Sequence, residues 1–151
     1  MADPKLVPAQ QPAERESAWL EGLQANGYRI TDSRRAVVAV LAAAEQALLA
    51  NEIYDLARAH HDKLGLVTVY RTLEKLEELD YVQQVHRPDG THAYLPAFDG
   101  HQHLLMCEKC GRVEVFDGDD LRDFSRRLEG ESGFEIHEHW LQFTGLCADC
   151  H

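Results

Sequence analysis

Residues 66–95 read LVTVYRTLEKLEELD, YVQQVH, RPDGT and HAYL, and the change of period inside this stretch decides the fold. Val69, Leu73, Leu76 and Leu79 recur at three- and four-residue steps, the mark of a helix with one buried stripe, beginning near Thr68. After Asp80 the period drops to two. Tyr81–His86 and His92–Leu95 flank Arg87-Pro88-Asp89-Gly90-Thr91, which predicts a β-hairpin closed by a Pro-Asp-Gly turn. Toward the N-terminus, a helix is expected from about Asn51 to His61, with Ile53, Leu56 and Ala57 inward. Another is expected from Thr31, Asp32 or Ser33, all good N-caps, through the apolar stretch Ala36 to Ala44. A first helix from Glu14 puts Trp19, Leu20 and Leu23 on one face and ends at Asn26-Gly27. Helices and a hairpin in this order make a winged helix-turn-helix, with the fourth helix in the recognition position. A small helical bundle of other topology is the alternative.

Pro96-Ala97-Phe98-Asp99-Gly100 looks like a hinge, and beyond it the composition shifts toward strands. Strands are expected at Leu104–Cys107, Arg112–Phe116 and Phe134–Phe143, with a helix from about Asp119 to Glu129. The class is therefore α+β. A flexible tail (1–13) precedes a winged-helix unit (14–96), a hinge (97–100) and a small α/β unit (101–151). The last unit is poor in core for its size and needs a staple or a partner subunit.

The staple is visible. Cys107-Glu-Lys-Cys110 and Cys147-Ala-Asp-Cys150 are two Cys-x-x-Cys knuckles separated by 36 residues. Two such pairs supply the four sulfur ligands of a closed tetrahedral zinc site with no position open for chemistry. A redox dithiol or two unrelated buried pairs are the alternatives, but the βαβ surroundings of a thioredoxin-like motif are missing. His101 and His103 precede the first knuckle; His137 and His139 lie on the strand expected before the second. Residues two apart share a strand face, so each pair can point at a common centre. His151 is terminal and is not expected to take part.

The 151 residues carry 15 Lys+Arg against 26 Asp+Glu, a net charge of −11, with 44% hydrophobic residues. Acidity on this scale argues against a polycationic nucleic-acid coat; it leaves sequence-specific reading open, because there the local patch decides. Up to Val85 the balance is 9 Lys+Arg against 13 Asp+Glu, so Arg29, Arg34, Arg35, Lys63, Arg71 and Lys75 must gather on one face if this half binds DNA. No apolar run approaches the roughly 20 residues of a membrane span, and Met1–Glu16 is unlike a signal peptide, so a cytoplasmic location is expected. A zinc deaminase would need His-x-Glu ahead of Pro-Cys-x-x-Cys. Here histidine stands at the third position of both His-x-His pairs and no proline precedes either knuckle. An enzyme is not expected.

Taken together, Gly27-Tyr28-Arg29-Ile30-Thr31 with Arg34, Glu52-Ile53-Tyr54, Leu64–Leu73, His101–Gly111 and Gly145–Cys150 resemble the ferric uptake regulator (Fur) family of metal-sensing bacterial repressors, in family order over about residues 15 to 150. The resemblance implies a homodimer joined through the C-terminal unit and bound to a palindromic operator in double-stranded DNA near metal-uptake genes. Tyr70 and Arg71 would meet bases and phosphates in the major groove, with Thr68 near the start of that helix. Arg29 would reach an adjacent A/T-rich minor groove. Cys107, Cys110, Cys147 and Cys150 match the family's structural zinc. A regulatory site maps to His101, His103, His139 and position 122, where a carboxylate is usual and this chain has Arg122. Asp119, then Asp120 and Glu114, are the substitutes. A second sensing site maps to Ala47, Leu95, Gln102 and Leu104, which leave almost nothing to coordinate a metal. Its absence is expected, which weakens a reading as one of the family's peroxide sensors. Zn²⁺ ahead of Fe²⁺ is the expected regulatory ion. The competing readings are a zinc-stapled protein-interaction module and a metal-independent DNA-binding regulator.

Overall fold

The computed structural model describes residues 11–98, 102–117 and 121–151. In chain order the elements are α1 (Pro12–Ala25), α2 (Asp32–Ala42), β1 (Leu48–Leu49), α3 (Ala50–Arg58), α4 (Leu66–Glu78), β2 (Val82–His86), β3 (His92–Pro96), β4 (Gln102–Cys107), β5 (Val113–Asp117), α5 (Arg122–Ser132) and β6 (Gln142–Gly145). One sheet has the order β1-β3-β2 and the other β5-β4-β6, with β4 and β6 parallel.

Local signals set most boundaries. The Thr31 hydroxyl accepts from the Arg34 N–H and caps α2. At the end of α1, Gly27 takes a positive φ of 82°, and the Tyr28 and Gly27 N–H groups donate to the Leu23 and Gln24 carbonyls. The end of α4 repeats this double closure with Asp80, at φ 56°, in place of glycine; Tyr81 and Asp80 donate to Leu76 and Glu77. That turn aims β2 directly off the helix.

The main core is built by α1–α4 around Leu23, Val37, Val38, Leu41, Ile53, Val69, Leu73 and Leu76, all within 1% of full burial. Arg15 is buried against it, and its guanidinium donates to the Ala42 carbonyl at the end of α2. Burial lowers the pKa of this arginine. Trp19 stacks on Tyr81 at 5.7 Å, and a Cβ added at Gly22 would overlap the Tyr81 hydroxyl. Gly22→Ala is therefore expected to destabilise the protein by about 1–2 kcal/mol despite alanine's higher helix propensity. A thermal melt at or above that of the unmodified protein would show that Tyr81 swings aside freely.

A second apolar cluster bridges the two sheets: Val85, Ala93 and Leu95 of the hairpin with Leu104, Met106 and Val115 of β4 and β5, flanked by Ala47, Leu49, Val113 and Phe98. Ala97 is also tied in, its N–H donating to the Tyr81 carbonyl.

Several expectations need correction. Helix α1 starts at Pro12, inside the stretch expected as tail; residues 1–10 lie outside the described residues. Leu56 is 50% exposed, because the buried stripe of α3 runs through Ala50, Ile53 and Ala57 and leaves Leu56 on its flank. The two-residue β1, pairing with Ala93 and Tyr94, was not anticipated. The strand expected over Phe134–Phe143 is confined to Gln142–Gly145. Its parallel ladder with β4 runs from Leu104↔Gln142 to Cys107↔Gly145, and just before it the Leu104 N–H donates to the Leu141 carbonyl. Helix α5 begins at Arg122; Asp119 and Asp120, like Asp99, Gly100 and His101, lie outside the described residues.

Candidate functional site

The parallel pairing of β4 with β6 sets Cys107 opposite Gly145, and Glu108 N–H donates to the Gly145 carbonyl, so the two knuckles leave the sheet side by side. Gly111, at φ 76°, lets the first turn close with its N–H on the Cys107 carbonyl; the Cys150 N–H closes the second on Cys147. The ligand atoms of Cys107, Cys110, Cys147 and Cys150 all lie within 4.8 Å of one another. Cys110 Sγ and Cys147 Sγ are 3.7 Å apart. Two sulfurs on a tetrahedral zinc at about 2.3 Å would be about 3.8 Å apart, whereas a disulfide needs about 2.05 Å. The tetrad fits a structural zinc, and the residue types and spacing fit it equally.

The surroundings favour thiolate at one end of the tetrad. N–H groups of Cys110 and Cys147 hold the Cys107 thiol down at about 6. The neighbouring Cys147 sulfur, through its hydrogen bond, and burial push Cys150 up to about 12. Arg112 pairs with Asp149 across the knuckles, and Lys109 Nζ donates to the Cys150 carbonyl at 3.3 Å.

The histidines form a looser set. His103 is buried on β4, opposite Phe116 on β5, and its ring centroid lies 5.5 Å from that of His139. Two imidazoles sharing one tetrahedral metal at about 2.0–2.1 Å would have centroids about 5 Å apart, so the pair is spaced to share an ion. His101, the third expected ligand, lies outside the described residues, as do Asp119 and Asp120. Arg122 lines a hollow of about 220 Å³ with Glu129, His137, Glu138 and His139. Glu114, the remaining substitute, sits 3.9 Å from Arg112. His137 does not share a strand face with His139, because residues 133–141 are not strand. Glu129 had no signal in the sequence, yet its carboxylate accepts the Ile136 N–H at 2.8 Å and anchors the segment that carries His139. Among the described residues, the four cysteines are the one group of three or more ligand side chains gathered this tightly.

Leu95 and Leu104 are 4% and 3% exposed inside the bridging apolar cluster, with Ala47 packed against it, so these three positions offer a metal no ligand atom. Gln102 is half-buried at the start of β4.

On α4, Val69, Thr72, Leu73 and Leu76 face the core, while Val67, Tyr70 and Arg71 face outward, Tyr70 at 51% exposure. Thr68 is half-buried, and its carbonyl accepts the Thr72 hydroxyl. Arg29 is exposed in the link between α1 and α2, where its carbonyl accepts Arg34 Nη1. Lys75, one of the cations expected on a basic face, is engaged by an acidic and an aromatic neighbour. Its ammonium is 2.8 Å from Glu78, which also accepts the Tyr28 hydroxyl, and it lies over the Tyr28 ring. The hydrogen bonds from Lys75 and then Tyr28 hold the Glu78 carboxyl below the usual range.

Among the described residues, no helix is long and apolar enough to cross a membrane. The model of the ferric uptake regulator family matches residues 25–144. The chain is 36% identical over 132 residues to the ferric uptake regulation protein of Bacillus subtilis, covering 85% of this chain and 89% of that protein. It is 28% identical over 128 residues to the zinc uptake regulation protein of Mycobacterium tuberculosis, covering 85% and 98%. A zinc uptake regulator solved in complex with zinc and DNA superposes with a TM-score of 0.72 at 24% identity, covering 93% of this chain and 95% of that one.

Proposed function

From the premise that this chain belongs to the ferric uptake regulator family, whose members are metal-responsive transcriptional regulators and not enzymes, we propose that it is a cytoplasmic homodimer that represses metal-uptake genes by binding a palindromic operator when a divalent cation is loaded. Zn²⁺ is placed ahead of Fe²⁺ as that cation. Residues 14–96 would form the DNA-binding unit, 97–100 the hinge and 101–151 the dimerisation and metal-binding unit. Tyr70, Arg71 and Thr68 would read the major groove and Arg29 the minor groove.

The observation that carries this reading is the presence of two unlike ligand sets in one small unit. The cysteine tetrad is a closed, all-thiolate set suited to a permanent zinc. The His103–His139 pair, 5.5 Å apart with His139 exposed, is an open nitrogen set suited to exchange with the medium. His101 would complete it. A cation held there ties β4 to the segment leading into β6, and its preference for one arrangement of the two units is what shifts the population toward the DNA-binding form.

The test is a titration of the purified protein, retaining its cysteine-bound zinc, with Zn²⁺, Fe²⁺, Mn²⁺ and Ni²⁺ while binding to a labelled uptake-gene promoter is followed. One metal is expected to tighten binding by about 5–150-fold, the usual range of such coupling. His101→Ala with His103→Ala is expected to abolish that response while leaving a dimer with one zinc per chain. Equal DNA binding in chelator and in metal would instead identify a metal-independent regulator, which the apolar bridge through Leu95 and Leu104 would suit.

A further inference from the structure

Strand β2 is an outer strand of its sheet, so its free side would ordinarily present open N–H and C=O groups. At His86 it does not. The His86 N–H donates to Gln142 Oε1 at 3.1 Å, and Gln142 Nε2 donates to the His86 carbonyl at 2.6 Å. One side-chain amide thus makes with one residue the two-bond pairing that a further strand would supply. Gln142 opens β6, where it pairs with Leu104 of β4, so its backbone belongs to the C-terminal sheet and its side chain to the wing. Two residues earlier, the Trp140 ring meets the His86 imidazole edge-on at 4.6 Å, and His86 in turn meets His92, its cross-strand partner, at 4.7 Å. The residue before Trp140 is His139, 5.5 Å from His103.

We propose that residues 139–142 are a latch that reports occupancy of the histidine site to the wing, with Gln142 as its positioning residue. The inference rests on the reading of His103 and His139 as metal ligands. Residues 139–141 belong to no strand, and their backbone tie to β4 is at the far end, where the Leu104 N–H donates to the Leu141 carbonyl at 3.3 Å, beyond His139 and Trp140. A cation shared by His103 and His139 pins that backbone against β4 and removes the conformational entropy that otherwise opposes the Gln142–His86 pairing. The wing then sits in one orientation, and the tight turn at Asp80 passes that orientation to α4, whose outer face carries Tyr70 and Arg71. Coupling of this kind is reciprocal, so a wing held by DNA would tighten the histidine site by the same factor.

The test is hydrogen exchange of the wing segment 82–92 in the full dimeric protein, retaining its cysteine-bound zinc, with and without added Zn²⁺. In the unmodified protein Zn²⁺ is expected to slow exchange of the His86 amide by about five-fold or more, the low end of ordinary coupling. Gln142→Ala is expected to lose that slowing while Zn²⁺ still binds. Gln142→Glu keeps an acceptor for the His86 N–H but loses the donor, and is expected to retain part of the response. Trp140→Phe keeps the edge-on ring and is expected to retain all of it. Slowing in Gln142→Ala and Gln142→Glu equal to that of the unmodified protein would overturn the latch and leave the metal reading standing. No Zn²⁺ effect in the unmodified protein, together with Zn²⁺ binding that His139→Ala leaves unchanged, would overturn both.

Discussion

Cys150→Ser is expected to cost the protein one zinc per chain and, with it, the folded C-terminal unit. The packing of that unit shows why. Helix α5 buries none of its residues in the single chain, and β6 buries none either. Among the described residues, the buried ones of β4 and β5 are His103, Leu104, Met106, Cys107 and Val115, and three of these belong to the cluster shared with the hairpin. Against so little apolar burial, a structural zinc contributes about 10–16 kcal/mol of apparent binding free energy, which matches or exceeds the roughly 5–15 kcal/mol that holds a whole domain folded. Serine leaves three sulfurs and a hydroxyl that does not readily ionise, so most of that contribution goes. Metal analysis should show the lost zinc, far-UV circular dichroism the lost strand and helix, and size exclusion the lost dimer. The helices α1–α4 have their own core and should survive. A variant that keeps its dimer and its strands without zinc would show that the tetrad is not the staple.

Arg71→Ala is expected to have the second-largest effect, and on a different property. Arg71 is exposed on α4 beside Tyr70, and no core residue depends on it. Thermal stability should therefore stay within about 0.5 kcal/mol of the unmodified protein. An arginine paired with a guanine edge is worth about 1–3 kcal/mol. A dimer presents it twice, so operator affinity should fall by roughly 2–6 kcal/mol, about 30-fold to 10⁴-fold. The salt dependence of the loss separates two roles. If Arg71 meets phosphate, the slope of log K against log salt should shrink by about 0.9 for each lost contact. If it meets bases, the slope should hold and discrimination at one base pair should relax. Affinity unchanged within twofold would remove α4 from the interface.

Local chemistry was legible wherever a residue's role depends on its neighbours along the chain. The stripe Val69, Leu73 and Leu76 became the buried face of α4, Asn26-Gly27 closed α1, Thr31 capped α2, and the Pro-Asp-Gly turn joined β2 to β3. The errors share a cause. Leu56 has the right type and nearly the right phase, but it lines an open hollow with Val40, Ala43 and Leu48 and stays 50% exposed. The stretch Phe134–Phe143 has a strand's composition, but its ladder with β4 starts only at Gln142.

By itself the sequence determined the order of the helices, the hairpin and the four-cysteine set, because these follow from residue type, period and spacing; the loss of ligand chemistry at Ala47, Leu95 and Leu104 was visible only through the family resemblance. Only the tertiary structure decided that β6 lies parallel to β4, that His139 therefore comes within 5.5 Å of His103, and that Gln142 closes the free edge of the wing. The physical reason is that period assigns a residue to a face but not to a partner. Which strand edges meet, and in what register, is settled by the packing of the whole chain, and contacts such as the 56-residue step from His86 to Gln142 leave no local trace.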